Sequence, residues 1–342
     1  SGKTRVLTHK MWYLINECDY KPENILALTF TNKAAKEMKD RVKKLLKTND
    51  LPITIGTFHS ICARLLRDEA KHIGLTRNFA IYDVQDQLDL IRVVLKTLEI
   101  QKDIITPNGA RNYISYSKNK MISPKEEMKK ARTKIEKKKA EVFGSYQKAL
   151  KENDALDFDD LLLYPLELFE NFPKILIKYQ KIYKYILVDE YQDTNRPQYF
   201  FVTALSEKHS NISVVGDDDQ SIYGWRGADV TNILDFEKFF PSCQIFTLET
   251  NYRSTQQILD AATAVVTHND KRTKKNLKSK HGDGDLVGLF ETSDELEEAD
   301  AIISAIEKEI KMKKRTFCDF AVLYRTNAQS RPIEDSLRRM GI

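Results

Sequence analysis

Short apolar runs that end in small, polar or acidic residues recur along the chain: Ile25-Leu26-Ala27-Leu28, Ile186-Leu187-Val188, Ile212-Ser213-Val214-Val215, Ile245-Phe246-Thr247-Leu248 and Ala321-Val322-Leu323-Tyr324. Helical patterns separate them. Uninterrupted apolarity over three or four residues marks a strand buried on both faces, and such strands alternating with helices predict an α/β fold with a parallel sheet. Ligands of these sheets bind at the carboxyl ends of the strands, so the residues that follow each run carry the information about chemistry. Between about residues 82 and 180 the pattern changes to long helices, including Asp86-Gln87-Leu88-Asp89-Leu90-Ile91 and a lysine-rich stretch from Lys118 to Lys139. This segment reads as an all-helical subdomain inserted into the first α/β domain. A chain of 342 residues exceeds the roughly 250 to 300 at which one core stops growing. The expected organisation is therefore a first α/β domain over 1–81 and 180–250, the insertion over 82–179, and a second α/β domain over 251–342. In the last of these, Ile302, Ile303, Ile306 and Ile310 fall on one face of a helix.

Charge and cysteine content narrow the function classes. Charged residues are 31% of the chain, yet the signs nearly balance at a net +5, which suits local basic surfaces more than a uniformly basic protein. Cys18, Cys62, Cys243 and Cys318 are widely separated, with no CxxC pair and no closely spaced histidine partners, so the pattern supports neither a zinc site nor a disulfide framework. A reducing cytosol is the natural compartment, and no apolar run is long enough to cross a bilayer.

Three segments point to phosphate chemistry and to nucleic acid. Ser1-Gly2-Lys3-Thr4 matches the last part of a phosphate-cradling GxxxxGK[ST] loop and leads into a helical pattern whose N-terminus favours an anion. In that role Lys3 reaches the β and γ phosphates, and the Thr4 hydroxyl ligates Mg2+; a solvated lysine at a helix start fits the same four residues. Next, Tyr185-Ile186-Leu187-Val188 delivers two carboxylates, Asp189 and Glu190, directly after a strand. Phosphoryl transfer to water needs a held metal ion and a group that orients the water, and Asp189 suits the first while Glu190 suits the second. Finally, the segment from Gly216 to Ala228 places Gln220, a candidate γ-phosphate sensor, just before Tyr223, Trp225 and Arg226. Flat rings beside a guanidinium meet the needs of sequence-tolerant base stacking. A core tryptophan and a surface arginine fit the same spacing, and the motif alone leaves both readings open.

The order and spacing of Asp189-Glu190-Tyr191-Gln192-Asp193-Thr194, Gly216 to Ala228 and Asn251-Tyr252-Arg253-Ser254 resemble those of superfamily-one helicases, specifically the UvrD/Rep/PcrA group and most of all its PcrA branch. Thr29-Phe30-Thr31-Asn32-Lys33-Ala34-Ala35, Gly56-Thr57-Phe58-His59-Ser60, Ala155-Leu156-Asp157-Phe158-Asp159-Asp160 and the run from Tyr324 to Arg331 add matches over nearly the whole chain. The resemblance implies RecA-like P-loop NTPase domains, with ATP between them and single-stranded DNA across their upper surface. It implies that Ser1, Gly2, Lys3 and Thr4 hold ATP, that Gln220 couples nucleotide to DNA, that Tyr252 stacks on adenine opposite Arg5, and that Arg253 acts as an arginine finger. It also implies a DNA track through Phe30, Thr57, His59, Tyr223, Trp225, Arg226 and Asn327, although a satisfied core histidine fits His59 too. By the same resemblance the lysine-rich insertion meets duplex DNA at single/double-strand junctions, although a solvated helix face fits the run from Lys118 to Lys139 too; the resemblance also implies a 3′ to 5′ translocase of DNA repair or replication, cytoplasmic and associated with the nucleoid.

Relative to that group, the chain starts within the phosphate loop and stops within the second motor domain, so it is expected to be part of a longer protein. Alone it is expected to be of low stability, to bind ATP poorly and not to unwind DNA. The motor of a helicase-nuclease, a non-catalytic DNA-binding module and an RNA substrate remain as alternatives. Residue types do not name protein partners.

Overall fold

The computed structural model describes residues 2–101, 103–270, 272–313 and 315–341, and the side chains of Arg226 and Lys313 lie outside that description. In chain order its main elements are α1 (Lys3–Asn16), β1 (Ile25–Thr29), α2 (Asn32–Leu46), β2 (Thr54–Thr57), α3 (Phe58–Asp68), β3 (Ala80–Tyr82), α4 (Val84–Thr97), α5 (Pro107–Asn119), α6 (Pro124–Lys130), α7 (Lys134–Glu152), β4 (Ala155–Asp157), α8 (Phe158–Asn171), α9 (Pro173–Ile182), β5 (Tyr185–Val188), α10 (Arg196–Ser206) and β6 (Ile212–Val214). Two four-residue helices follow, α11 (Thr231–Leu234) and α12 (Phe236–Phe239), then β7 (Thr250–Asn251), α13 (Gln256–Val266), β8 (Lys278–Ser279), α14 (Glu295–Lys313) and α15 (Ser330–Arg339). They divide into two compact units, one of residues 1–253 with 265–280 and the other of 254–264 with 281–342.

The main sheet of the first unit is wholly parallel, in the order β2-β1-β5-β6. Every residue of β1 is buried, and the two-residue period of the strand sends its side chains into two different cores. Leu26 and Leu28, with Ile186 and Val188 of β5, face a cluster built with α3, α8, α9 and α10. Ile25, Ala27 and Leu187 face the opposite cluster, closed by Leu7, Met11 and Leu14 of α1 and by Met38 and Val42 of α2. Both faces covered by helices is what the uninterrupted apolar runs require.

The insertion has a third core of its own, in which Ile91, Val94 and Leu95 of α4 and Ile114 of α5 surround Phe143, Tyr146 and Leu150 of α7. The strands β3 and β4 pair in parallel at its entry and exit, Ala80 opposite Ala155 and Tyr82 opposite Asp157. The helices α8 and α9 belong instead to the core under the main sheet, through Leu161, Leu162, Leu168, Phe169, Ile175 and Tyr179. Helical pattern thus runs on past the insertion's own core.

The lysine-rich stretch is not one helix face. It breaks into the end of α5, the short α6 and the start of α7, with Ser123 and Thr133 capping the last two by reciprocal hydrogen bonds to Glu126 and Glu136. Its first member, Lys118, is 2% exposed, with its ammonium 2.7 Å from Asp157 and 2.8 Å from Asp160. Tyr146 also donates to Asp157, at 3.0 Å. Burial pushes the Asp160 carboxyl up, to about 7, and the neighbouring Asp157 charge adds to the effect while Lys118 opposes it. The ammonium is the counter-charge that lets two carboxylates sit together under the insertion.

The second unit contains α14 and α15, with Ala299 and Ile303 fully buried and Ser336 and Arg339 hydrogen-bonded to Asp300. The predicted helix through Ile302, Ile303, Ile306 and Ile310 is α14. The predicted strands at 245–248 and 321–324 are absent. Ile245, Phe246 and Leu323 are 63%, 79% and 93% exposed, and an apolar run becomes a strand only beside a neighbour that completes its ladder.

Replacing Lys118 by Met should cost about 3–5 kcal/mol, because it strands two buried carboxylates without a counter-charge. Urea denaturation of the purified protein would measure it, and a loss below about 1 kcal/mol would show that water already screens the cluster.

Candidate functional site

Because the strands are parallel, the segments following β1, β2, β5 and β6 all emerge at one edge of the sheet. The start of α1 lies at the same place. Gly2 precedes that helix with φ 108°, a left-handed conformation that residues bearing a Cβ rarely adopt. The Thr4 hydroxyl donates to Asp189 Oδ2 at 3.1 Å. The Lys3 ammonium stands 3.6 Å from Glu190 Oε2 and 3.7 Å from Asp217 Oδ2.

Local backbone geometry separates the two carboxylates. The Asp189 amide still belongs to the sheet, donating to Leu28 O at 2.9 Å. Glu190 then turns left-handed, φ 49° and ψ 47°, which is costly for a residue with a side chain and persists only where its surroundings hold it. They do so here through Gln192, 1% exposed, whose amide donates to Glu190 Oε2 at 3.1 Å and accepts from the Asp217 backbone N–H at 2.9 Å. Gln220 donates to Asp217 Oδ2 at 2.7 Å, so the turn after β5 and the loop after β6 form one network. Burial first, then the Glu190 charge, raises the Asp189 carboxyl above its ordinary range. Burial works the same way on Asp217, but the Lys275 hydrogen bond and Lys3 outweigh it and leave that carboxyl low.

The donor set suits a nucleotide and its metal ion. A lysine at a helix start offers charge and N–H groups to phosphate, while a hydroxyl beside a carboxylate offers the hard oxygens that Mg2+ prefers. The three consecutive carboxylates Asp217, Asp218 and Asp219 instead face protein cations, Lys275 and Arg272.

Beside this network lies a row of rings. Phe30, directly after β1, stacks on Tyr223 with centroids 5.0 Å apart and planes 28° apart, and Tyr223 lies 6.5 Å from Trp225. Trp225 is 73% exposed, which decides against a core tryptophan. Thr57 ends β2 and accepts from the Ser60 amide to cap α3. His59 is half-buried, its pKa lowered by burial, and meets the ring of Phe158 edge-on at 5.7 Å.

The chain matches the UvrD/REP helicase N-terminal domain over residues 1–241 and the UvrD-like helicase C-terminal domain over 246–342. It belongs to the UvrD/REP helicase family. Relatives include the ATP-dependent DNA helicases PcrA of Bacillus subtilis, 46% identical over 342 residues, and of Leuconostoc citreum, 45% identical over 338. The PcrA of Staphylococcus aureus is 47% identical over 339 residues. Coverage of this chain is 98 to 100%, and the chain spans about half the length of these relatives, 45 or 46%. The mixed α/β architecture with its parallel sheet is the RecA-like superfamily-one arrangement that membership of the UvrD/REP family implies.

Of the residues singled out in the sequence, the fold brings together Lys3, Thr4, Asp189, Glu190 and Gln220 at one network, and Phe30, Tyr223 and Trp225 in one row. Arg5 is exposed on α1, and Tyr252 and Arg253 are exposed on the turn after β7. Asn327 starts a short helical turn in the second unit. Ser1 and the Arg226 side chain lie outside the described residues. Sequence reading passed over Gln192, Asp217 and Phe158 as site residues. All three stand in motifs that follow a strand, and that position was the available signal; buried bridging by Gln192 becomes visible only once β5 and β6 are paired.

Removing an exposed ring leaves the core intact. Trp225→Ala should keep the unfolding free energy of the protein, measured by urea denaturation, within about 0.5 kcal/mol of wild type; a loss near 3 kcal/mol would mean that the ring packs inside.

Proposed function

We propose that this chain is the ATP-driven motor portion of a DNA helicase that moves 3′ to 5′ along single-stranded DNA and separates duplexes at single/double-strand junctions, in DNA repair or replication. The observation that carries this reading is the junction of Lys3 and Thr4 with Asp189 and Glu190, one loop away from an exposed aromatic row. Relatives named ATP-dependent DNA helicases support both the nucleotide and the nucleic acid. On this reading the first motor domain comprises 1–81 and 180–250 together with α8 and α9, which pack into its core, the helical insertion is the rest of 82–179, and the second motor domain begins at 251. The protein works in the cytoplasm, at the nucleoid.

The mechanism follows from what each side chain can do. Gly2, Lys3 and Thr4, with Ser1, cradle the phosphates of ATP, and the Lys3 ammonium exchanges its carboxylate neighbours for the β and γ phosphates. Thr4 and Asp189 would hold Mg2+, which would supply positive charge to the phosphates. Glu190, aimed by its left-handed backbone and by Gln192, orients the attacking water and takes its proton. Gln220 senses the γ phosphate and, through Asp217, passes its presence to the loop that carries Tyr223 and Trp225. Tyr252 and Arg5 sandwich the adenine, and Arg253 supplies positive charge to the γ phosphate, so that hydrolysis waits for the nucleotide to be enclosed. Phe30, Tyr223 and Trp225 stack on bases, with Thr57, His59, Arg226 and Asn327 lining the track; stacking tolerates any sequence because every base has a flat face.

The test is ATP hydrolysis by the full-length protein, wild type beside Glu190→Gln, with single-stranded DNA and RNA of equal length. Strong stimulation by DNA and a loss of at least about a hundredfold in the variant are expected. Hydrolysis indifferent to nucleic acid would refute the coupling, and an active variant would refute the role of Glu190. Trp225→Ala should weaken single-stranded DNA binding by about 1–3 kcal/mol, read by titration, while hydrolysis without DNA is retained.

A further inference from the structure

The aromatic loop is held at both ends. At its start the Ser221 hydroxyl donates to the backbone carbonyl of Gln192 at 3.2 Å, the residue that also positions Glu190. At its end the holder is Asn119, the last residue of α5 in the helical insertion. Asn119 Oδ1 accepts from Asn195 Nδ2 at 2.9 Å, and Asn195 forms an isolated antiparallel bridge with Ala228. Asn119 Nδ2 donates to Ser115 O at 2.8 Å and to Asp159 Oδ1 at 3.1 Å. The same side chain packs on Gly227, where φ is 84° and an added Cβ would lie 3.1 Å from Asn119 Oδ1. Next to it, Lys118 is pinned by Asp157 and Asp160, which fixes the end of α5 against α8. Gly227 and Ala228 are two and three residues beyond Trp225.

We propose that Asn119 is a positioning residue that sets the aromatic loop against the helical insertion, so that a base stacked on Trp225 is held in register with that subdomain. The inference rests on the functional reading above. A ring that is 73% exposed stacks well only if its backbone is held still beforehand, since ordering the loop on contact would subtract from affinity. Gln192 supplies that restraint from the nucleotide side and Asn119 from the insertion side. Asn119 touches neither substrate itself; it acts through Gly227 and Asn195.

The experiment measures ATP hydrolysis by the full-length protein against single-stranded DNA concentration for wild type, Asn119→Ala, Asn195→Ala, and both together. Each single variant should raise the DNA concentration for half-maximal stimulation by about tenfold, the effect of one lost hydrogen bond of about 1.4 kcal/mol. Hydrolysis without DNA should stay within about twofold, and the double variant should show less than the product of the two single effects on half-stimulation, because the Asn119–Asn195 bond is lost in each; the α10 cap that Asn195→Ala also removes is read separately by thermal melting. Asn119→Asp combined with Asp159→Asn exchanges donor and acceptor between these two positions and keeps an acceptor for Asn195, but gives up the donor to Ser115 O, so it should recover only part of the loss. Unchanged half-stimulation in both single variants, independent effects that multiply, or equal loss with and without DNA would overturn the proposal. Wild-type hydrolysis that ignores DNA would instead sink the functional reading and this inference with it.

Discussion

The Asp189 amide donates to Leu28 O and the Val215 amide to Val188 O, both at 2.9 Å. These hydrogen bonds carry the parallel ladder one step past the strands, to the point where the acidic turn begins. Everything at the candidate site depends on that pairing. It keeps β5 central, buried on both faces, and brings Asp189 to Thr4 at the start of α1 while leaving Glu190 to turn away left-handed. A parallel sheet has one carboxyl edge, so the segments after β1, β2 and β6 have nowhere else to go.

Burial then separates the charges by task. Asp189 is desolvated and raised, Asp217 is held low by two lysines, and Gln192 bridges Glu190 and the Asp217 backbone as a neutral group able to donate to one loop and accept from the other. The insertion repeats this use of charge on a larger scale, with Lys118 compensating Asp157 and Asp160 inside the protein. A neutral amide thus ties the loop to the turn after β5, while the buried ion cluster fixes the end of α5, whose Asn119 packs on Gly227. Both are rigid arrangements, because a donor or acceptor lost in a dry site is not replaced by water.

The candidate site was legible where it is local. Gly2-Lys3-Thr4, Asp189-Glu190 and the run from Gln220 to Trp225 each put the residue types of the candidate site within a few positions, because a single turn must deliver them together. The alternation of β1 and β5 between two cores was legible as continuous apolarity. Less was readable from Ile245 to Leu248 and from Ala321 to Tyr324, whose apolar runs promise strands that no neighbour completes among the described residues. The lysine run also misled: Lys118 resembles the solvated lysines after it, yet its partners Asp157 and Asp160 lie 39 and 42 positions away.

The sequence by itself determined the class of fold, the family and the residue types of the candidate site, because strand period, helix period and turn chemistry are set over short stretches of chain. Only the tertiary structure decided which side chains share a network. It placed Gln192 between Glu190 and Asp217, Phe30 on Tyr223, Asn119 on Gly227, and Lys118 inside rather than on the surface. Such contacts join residues far apart along the chain, and hydrogen bonding and burial act on distance in space, which no local spacing encodes.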